Sequence, residues 1–526
     1  MTGSLLIKGG RLFDAEHSMF SKNDILINGD SIKDISPDIA AECPVIDALG
    51  LVVSPGFIDC HGHSDENPLF DCDGGSKLHD GVTTEICGNC GSSLFPGKTS
   101  LGARKRICPF SGTPYSIGYD TLGSYLDALD KKGMPLNMGF LVGHGSLRDQ
   151  ASGRENRTCT REERKQMLEK FHDFLDQGAM GLSLGFAYPP GCYADTGEVM
   201  PLAAAAAERD VIITSHIRNE GNTLFESVEE FIALAEREAC RIQISHIKAM
   251  WKHNWDKVQA IAEYIQKKRE NGIDVTADRY PYTAASTGLD HLLPDSFYEG
   301  GDEKEYARLE DPALLKKAEK KICSLYGPDI FDYVQVVGVP GIHNENEYAG
   351  RRISAIAQDM DRSPFETYIH LIRAGKLRGA AVYYGMSEHN LELFLSQTFV
   401  GVGSDARYRS VEGISSSGTV HPRAYGTFSR FLGRYVREKG LLTLEEALSR
   451  ITAFPAERFN INKRGYLKKG YRADITIFDP ERIRDTATFE NPHRYSQGVE
   501  YVIINGTVAK KRAELVSHTA GRVVRG

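Results

Sequence analysis

Val211-Ile212-Ile213-Thr214-Ser215 runs into His216, Arg241-Ile242-Gln243-Ile244-Ser245 runs into His246, and Ile273-Asp274-Val275-Thr276-Ala277 runs into Asp278. Each is a short apolar run of the kind that forms a buried strand, and each ends on a side chain able to do chemistry. Between the first two, Leu224, Phe225, Val228, Phe231, Ile232 and Ala235 fall on one stripe at helical spacing. Val258, Ile261, Ala262 and Ile265 do the same between the second and third. The strand ends stand 30 and 32 residues apart, one strand–helix–strand step each. Right-handed repetition of that step closes a (β/α)8 barrel or builds an open doubly wound sheet.

Runs of the same texture stand outward at 51–59, 82–86, 137–142, 180–184 and 399–404, making eight candidate strands in all. The segment 285–398 is too long for a simple crossover and carries further strand-like runs at 333–338 and 379–384. An insertion of that size is expected to shape the mouth of an active site. The two ends read differently. Leu5-Leu6-Ile7 precedes a Gly9-Gly10 turn, and Asp24-Ile25-Leu26-Ile27 runs into Asn28-Gly29. Near the C-terminus, Asp474-Ile475-Thr476-Ile477-Phe478 and Tyr501-Val502-Ile503-Ile504, the latter running into Asn505-Gly506, repeat that pattern of small hairpins. Residues 1–54 and 456–526 therefore read as two halves of one β-sandwich domain around a central unit, 55–455.

The composition narrows the function. With 526 residues, 41% hydrophobic and 25% charged, the chain has the make-up of a globular protein. Its net charge of −8 argues against general nucleic-acid binding, which depends on neutralising phosphates. No apolar run reaches the ~20 residues of a membrane helix. The start, Met1-Thr2-Gly3-Ser4-Leu5, lacks the basic and apolar regions of a secretory signal, so a cytoplasmic location is expected. The ten cysteines are then expected to be reduced, and any that matters should be a ligand or a nucleophile.

Four constellations carry chemistry. His61 and His63 are two apart, so on an extended strand they share a face, at the end of the first barrel strand. Such a pair alone is weak evidence for metal. His216 and His246 follow neighbouring strands one repeat apart, which sets them side by side at one rim. Cys87-Gly88-Asn89-Cys90 lacks the second CxxC of a zinc ribbon, and its glycines suit a turn better than the helix of a redox motif. One of its thiols is therefore expected to ligate a metal. Asp405 ends the eighth strand, where a carboxylate can ligate an ion and shuttle a proton, or simply cap the next helix.

Together these sites resemble the amidohydrolase superfamily, and within it the D-aminoacylase (N-acyl-D-amino-acid deacylase) branch. The likeness covers nearly the whole chain, through SPGFIDCHGH at 54–63, GVTTEICGNCG at 81–91, GLSLGFAYPPG at 181–191, SHIRNEG at 215–221 and HPRAYGTFSR at 421–430. It implies a (β/α)8 TIM-like barrel with a small sandwich built from both termini. It implies that Cys90, His216 and His246 hold a tight zinc site, and that His61, His63 and Asp405 form a second, weaker metal position. It implies that Lys248, Tyr280, Ser286 and Arg423 contact the substrate carboxylate, and that Asp405 is the catalytic acid–base. The expected reaction is zinc-dependent hydrolysis of N-acyl-D-amino acids, with the preferred side chain and acyl group open. The rival readings are a cyclic amidase of the dihydropyrimidinase or dihydroorotase kind, a non-catalytic scaffold on the same fold, and a CxxC oxidoreductase. Of these, the oxidoreductase alone needs Cys87.

Overall fold

The structure is a computed structural model that describes residues 3–70, 72–97, 106–108, 110, 113–340 and 345–526. Its centre is a parallel barrel. The strands are β1 (Phe57–Asp59), β2 (Val82–Cys87), β3 (Asn137–Phe140, continued by Val142–Gly143), β4 (Gly181–Gly185), β5 (Ile212–His216), β6 (Arg241–Ile244), β7 (Val275–Arg279) and β8 (Val400–Val402). Each pairs in parallel with the next, from β1 with β2 through to β7 with β8. A parallel bridge between Gly62 and Ala406 closes the ring, and the Asp405 amide donates to the His61 carbonyl at 2.7 Å. Nearly every strand residue is buried, because helices cover the outside of the barrel while side chains fill its interior.

The helices behave as their spacing requires. Leu224–Glu238 buries Leu224, Val228, Phe231, Ile232 and Ala235, and Lys257–Glu270 buries Val258, Ile261, Ala262 and Ile265. Each large apolar side chain so buried contributes about 1.5–3 kcal/mol.

The run at 51–59 divides in two. Val52–Pro55 belongs to a seven-stranded sheet, where it pairs with Arg11–Asp14 and with Ile475–Phe478, whereas Phe57–Asp59 enters the barrel. Pro55 and Gly56 mark the break. A proline cannot donate to a ladder, and a Cβ on Gly56 would lie 2.2 Å from the Thr83 hydroxyl. The seven-stranded sheet packs on a four-stranded one (Ser31–Ser36, Asp24–Asn28, Ser4–Lys8, Val45–Asp47) through Ile7, Ile25, Ile27, Val53, Ile475 and Ile503. The sandwich thus takes strands from both ends of the chain. At the C-terminus, Val523–Val524 instead pairs in parallel with β3, on the barrel.

Glu388–Ser396, at the end of the expected insertion 285–398, is a barrel helix that packs on Lys257–Glu270 and β8 and joins the barrel core through Leu391, Phe394 and Leu395. Residues 285–386 build a lobe of their own over the barrel. Its three-stranded antiparallel sheet has Ala380–Tyr383 between Ala285–Gly288 and Val334–Gly338. Helices Pro312–Tyr326 and Pro364–Ala374 pack on it around a separate apolar core. Positions 341–344 of that segment lie outside the described residues.

Candidate active site

The strand ends place the candidate ligands on one rim. His61 stands two residues past β1, Cys90 three past β2, His216 at the end of β5, His246 two past β6 and Asp405 three past β8. Donor atoms of His61, His63, Cys90 and Asp405 all lie within 4.8 Å of one another, and so do those of Cys90, His216 and His246. Cys90 belongs to both groups. Its Sγ is 3.3 Å from His61 Nε2 and 3.4 Å from His246 Nε2, and His63 Nε2 is 2.9 Å from Asp405 Oδ1.

Three of these residues sit at positive φ: Cys90 at 55°, His246 at 37° and Asp405 at 52°. Residues other than glycine rarely adopt that conformation, and where they do the surroundings must hold them there. Around Cys90 the turn is held by Gly88 and Gly91, both also at positive φ. A Cβ on Gly91 would lie 2.4 Å from the Gly185 amide nitrogen. The turn therefore packs backbone to backbone against β4.

Carboxylates behind the rings orient them. Asp278 accepts from the His246 amide at 2.9 Å and from Gln243 Nε2 at 2.9 Å, and its Oδ1 lies 3.1 Å from His61 Nδ1. Glu220 lies 3.0 Å from His246 Nδ1 and is paired with Lys248. Both imidazoles thus turn Nε2 toward Cys90 and Nδ1 toward a carboxylate, as in carboxylate–histidine–metal arrangements. Beneath them, buried Lys77 is paired with Asp59 and donates to Ser404 Oγ at 2.5 Å. Asp59 Oδ1 accepts from the amides of His61 (3.1 Å) and Ser404 (2.9 Å), tying the ends of β1 and β8 together.

The electrostatics suit a cation. Burial alone would push the Cys90 thiol up, but His61 and His246 outweigh it and hold Cys90 well below the ordinary thiol range. Burial likewise opposes ionisation of Asp405, yet Arg423 and the imidazoles hold it well below the usual carboxylate range. His63 rises to about 9, because its contacts with Asp405 and Cys90 overcome burial. The Nδ1 of His216 is buried without a hydrogen-bond partner among the described residues. A thiolate, imidazoles and a carboxylate converging within reach of one another are the donor set that zinc takes, and His216 has a nitrogen to spare. The residues fit that metal.

Cys87 does not join either ligand group among the described residues. Its thiol is fully buried against Glu85, 3.5 Å away, and burial pushes its pKa well up.

A cavity of about 1430 Å³ opens onto the rim, and Lys248, Tyr280, Ser286 and Arg423 all line it. Arg423 Nη1 is 2.8 Å from Asp405 Oδ2, its Nη2 donates to the Ser286 carbonyl at 3.2 Å, and its guanidinium lies 4.6 Å from the centre of the Tyr280 ring. The Tyr280 hydroxyl is buried and unpartnered among the described residues. Sequence reasoning noted Asp278 at a strand end but gave it no role, and it passed over Glu220, the Lys77–Asp59 pair, Tyr188 and His291. Asp278 had a signal, a carboxylate ending a third strand in step with the two histidines. Glu220 had a weaker one, four residues after His216. Lys77 and Asp59 meet only through the fold.

The sequence pattern of the amidohydrolase family matches residues 44–278 and 399–509. An N-acyl-D-glutamate deacylase of Alcaligenes xylosoxydans xylosoxydans is 32% identical over 526 residues, covering 99% of this chain and 96% of that protein. A D-aminoacylase of the same organism is 32% identical over 523 residues, covering 99% and 97%. The crystal structure of an N-acyl-D-glutamate deacylase from Bordetella bronchiseptica superposes with a TM-score of 0.83 at 30% identity, over 100% of both chains. That protein was solved with zinc and a phosphonate inhibitor that mimics the tetrahedral intermediate of its reaction.

Proposed function

This chain belongs to the amidohydrolase family, and from that premise we propose that it hydrolyses the amide bond of N-acyl-D-amino acids, releasing a carboxylate and a free D-amino acid, with zinc as cofactor. The observation that carries the reading is the shared place of Cys90 in two ligand groups beside a cavity lined by Lys248, Tyr280, Ser286 and Arg423. In this reading Cys90, His216 and His246 hold the tight zinc, and His61, His63 and Asp405 provide the weaker position. Zinc, when bound, supplies Lewis acidity that polarises a carbonyl and makes water a stronger acid.

The chain's own groups do the rest. Asp405, kept ionised by Arg423 and the imidazoles, takes the proton of the attacking water and delivers it to the leaving nitrogen. Arg423 has five donors in a planar fork, enough to keep Asp405 and still grip the substrate's α-carboxylate. Lys248, the Tyr280 hydroxyl and Ser286 complete that grip. With the α-carboxylate and the scissile carbonyl both fixed, the side chain must enter the one pocket beside them, and that third contact selects the D form. We place the enzyme in the cytoplasm and divide it at 1–54, 55–455 and 456–526, with Val523–Val524 returning to the barrel. No helix among the described residues is long and apolar enough to cross a membrane.

The test is a hydrolysis panel on the zinc-loaded protein: N-acetyl-D-amino acids, their L enantiomers, hydantoin and dihydroorotate. Release of acetate from the D forms alone is expected, and it should stop when zinc is chelated. Equal turnover of L forms, or preference for the cyclic amides, would overturn the reading.

A further inference from the structure

Resting on the function assigned above, we propose that Arg279 is a positioning residue of the α-carboxylate grip: it holds the Tyr280 ring so that the hydroxyl meets the substrate. Arg279 ends β7 and is only 1% exposed. Its guanidinium lies 4.4 Å from the centre of the Tyr280 ring. Nη2 donates to the Tyr282 carbonyl at 2.9 Å and lies 2.9 Å from Met386 Sδ. Nε and Nη1 are buried without a partner, and no carboxylate pairs with this cation among the described residues. Lys77 and Arg148, buried as deeply, each face a carboxylate, Asp59 and Glu198. A buried charge without a counter-ion costs free energy. This chain keeps one where it rests on the face of a ring, and a ring face attracts a guanidinium.

The ring in question is the loose member of the grip. Lys248 is anchored on Glu220 and Arg423 on Asp405, whereas the Tyr280 hydroxyl has no partner among the described residues. With no bond at its tip, the ring takes its direction from what lies against it. Arg423 lies 4.6 Å from the ring centre, but it also carries Asp405 and, in the proposed function, the substrate. Arg279 does not line the cavity, so it holds the ring whether the site is empty or filled. A hydroxyl aimed in advance binds a carboxylate without the cost of ordering the side chain at that moment.

The test is Arg279→Met in the zinc-loaded enzyme, with the N-acetyl-D-amino acid that the unmodified protein turns over best. KM is expected to rise by ~10-fold or more with kcat held within ~3-fold, because the lost restraint acts on binding and not on the proton in transit. Arg279→Lys, which keeps a cation over the ring, should recover most of the loss. Zinc content should hold, and the thermal midpoint should not fall, since no charge is left without its partner. Tyr280→Phe keeps the ring and removes the hydroxyl that is aimed. In that background Arg279→Met should change KM by no more than ~2-fold. Equal losses in both backgrounds, a drop in zinc content, a lowered midpoint or an unfolded variant would show that Arg279 serves the fold. Any of these, or an unchanged KM, would overturn the inference while leaving the deacylase reading intact. Failure of the unmodified protein on every N-acyl-D-amino acid would overturn that reading and this inference with it.

Discussion

Asp405 is pulled by two partners, with Oδ1 2.9 Å from His63 Nε2 and Oδ2 2.8 Å from Arg423 Nη1. One contact belongs to the metal rim and the other to the substrate grip, so the proton shuttle is set between the two. Asp405→Asn keeps the shape and removes the base. Its kcat should fall by about 10²–10⁴-fold with KM little changed, because the lost group acts on the proton in transit. Steady-state kinetics beside a zinc assay checks this, with zinc retained through Cys90, His216 and His246. The candidate ligands were legible in the sequence because each follows an apolar run that could only be a strand. Which cysteine of the CxxC reaches the rim was not legible from the residues alone. The choice depends on a turn at positive φ that points one thiol into the site and buries the other against Glu85.

At the scale of elements, two devices hold the rim. The first is the Gly88–Gly91 turn, which packs its backbone on β4. Gly91→Ala puts a methyl group against the Gly185 amide, so the turn must shift and carry Cys90 with it. The variant should fold, bind zinc more weakly and lose most of its kcat, as a zinc titration with kinetics would record. The second is the buried Lys77–Asp59 pair, which ties the end of β1 to that of β8. Lys77→Met leaves Asp59 charged and unpaired. It should cost about 3–5 kcal/mol of stability, seen as a lowered thermal midpoint. The barrel strands could be read from their runs, since a buried parallel strand advertises itself as an unbroken apolar stretch. The division of 51–59 between two sheets could not. A single apolar run says nothing of which neighbours it pairs with, and the break depends on how Gly56 meets Thr83. Ala285–Gly288 was equally hidden, because four small and polar residues carry no strand period.

Across the whole molecule, the fold gathers residues from 61 to 423 onto one rim, with the lobe of 285–386 supplying Ser286, His291 and Tyr383 above them. The sandwich sheet joins Ile475–Phe478 to Val52–Pro55, just before β1, so segments from both ends of the sequence meet there. The lobe has its own apolar core, separate from that of the barrel beneath it. Pairing of this reach is set by the closed ring of strands and not by any local motif, which is why the family likeness, more than spacing, pointed to a barrel over an open sheet. The central claim is that one thiolate and a set of imidazoles hold zinc at this rim. X-ray absorption at the zinc edge of the loaded protein tests it most directly. A single sulfur at about 2.3 Å among nitrogen and oxygen neighbours is expected, disappearing in Cys90→Ser and persisting in Cys87→Ser. A zinc shell without sulfur, or one whose sulfur survives the loss of Cys90, would contradict the account.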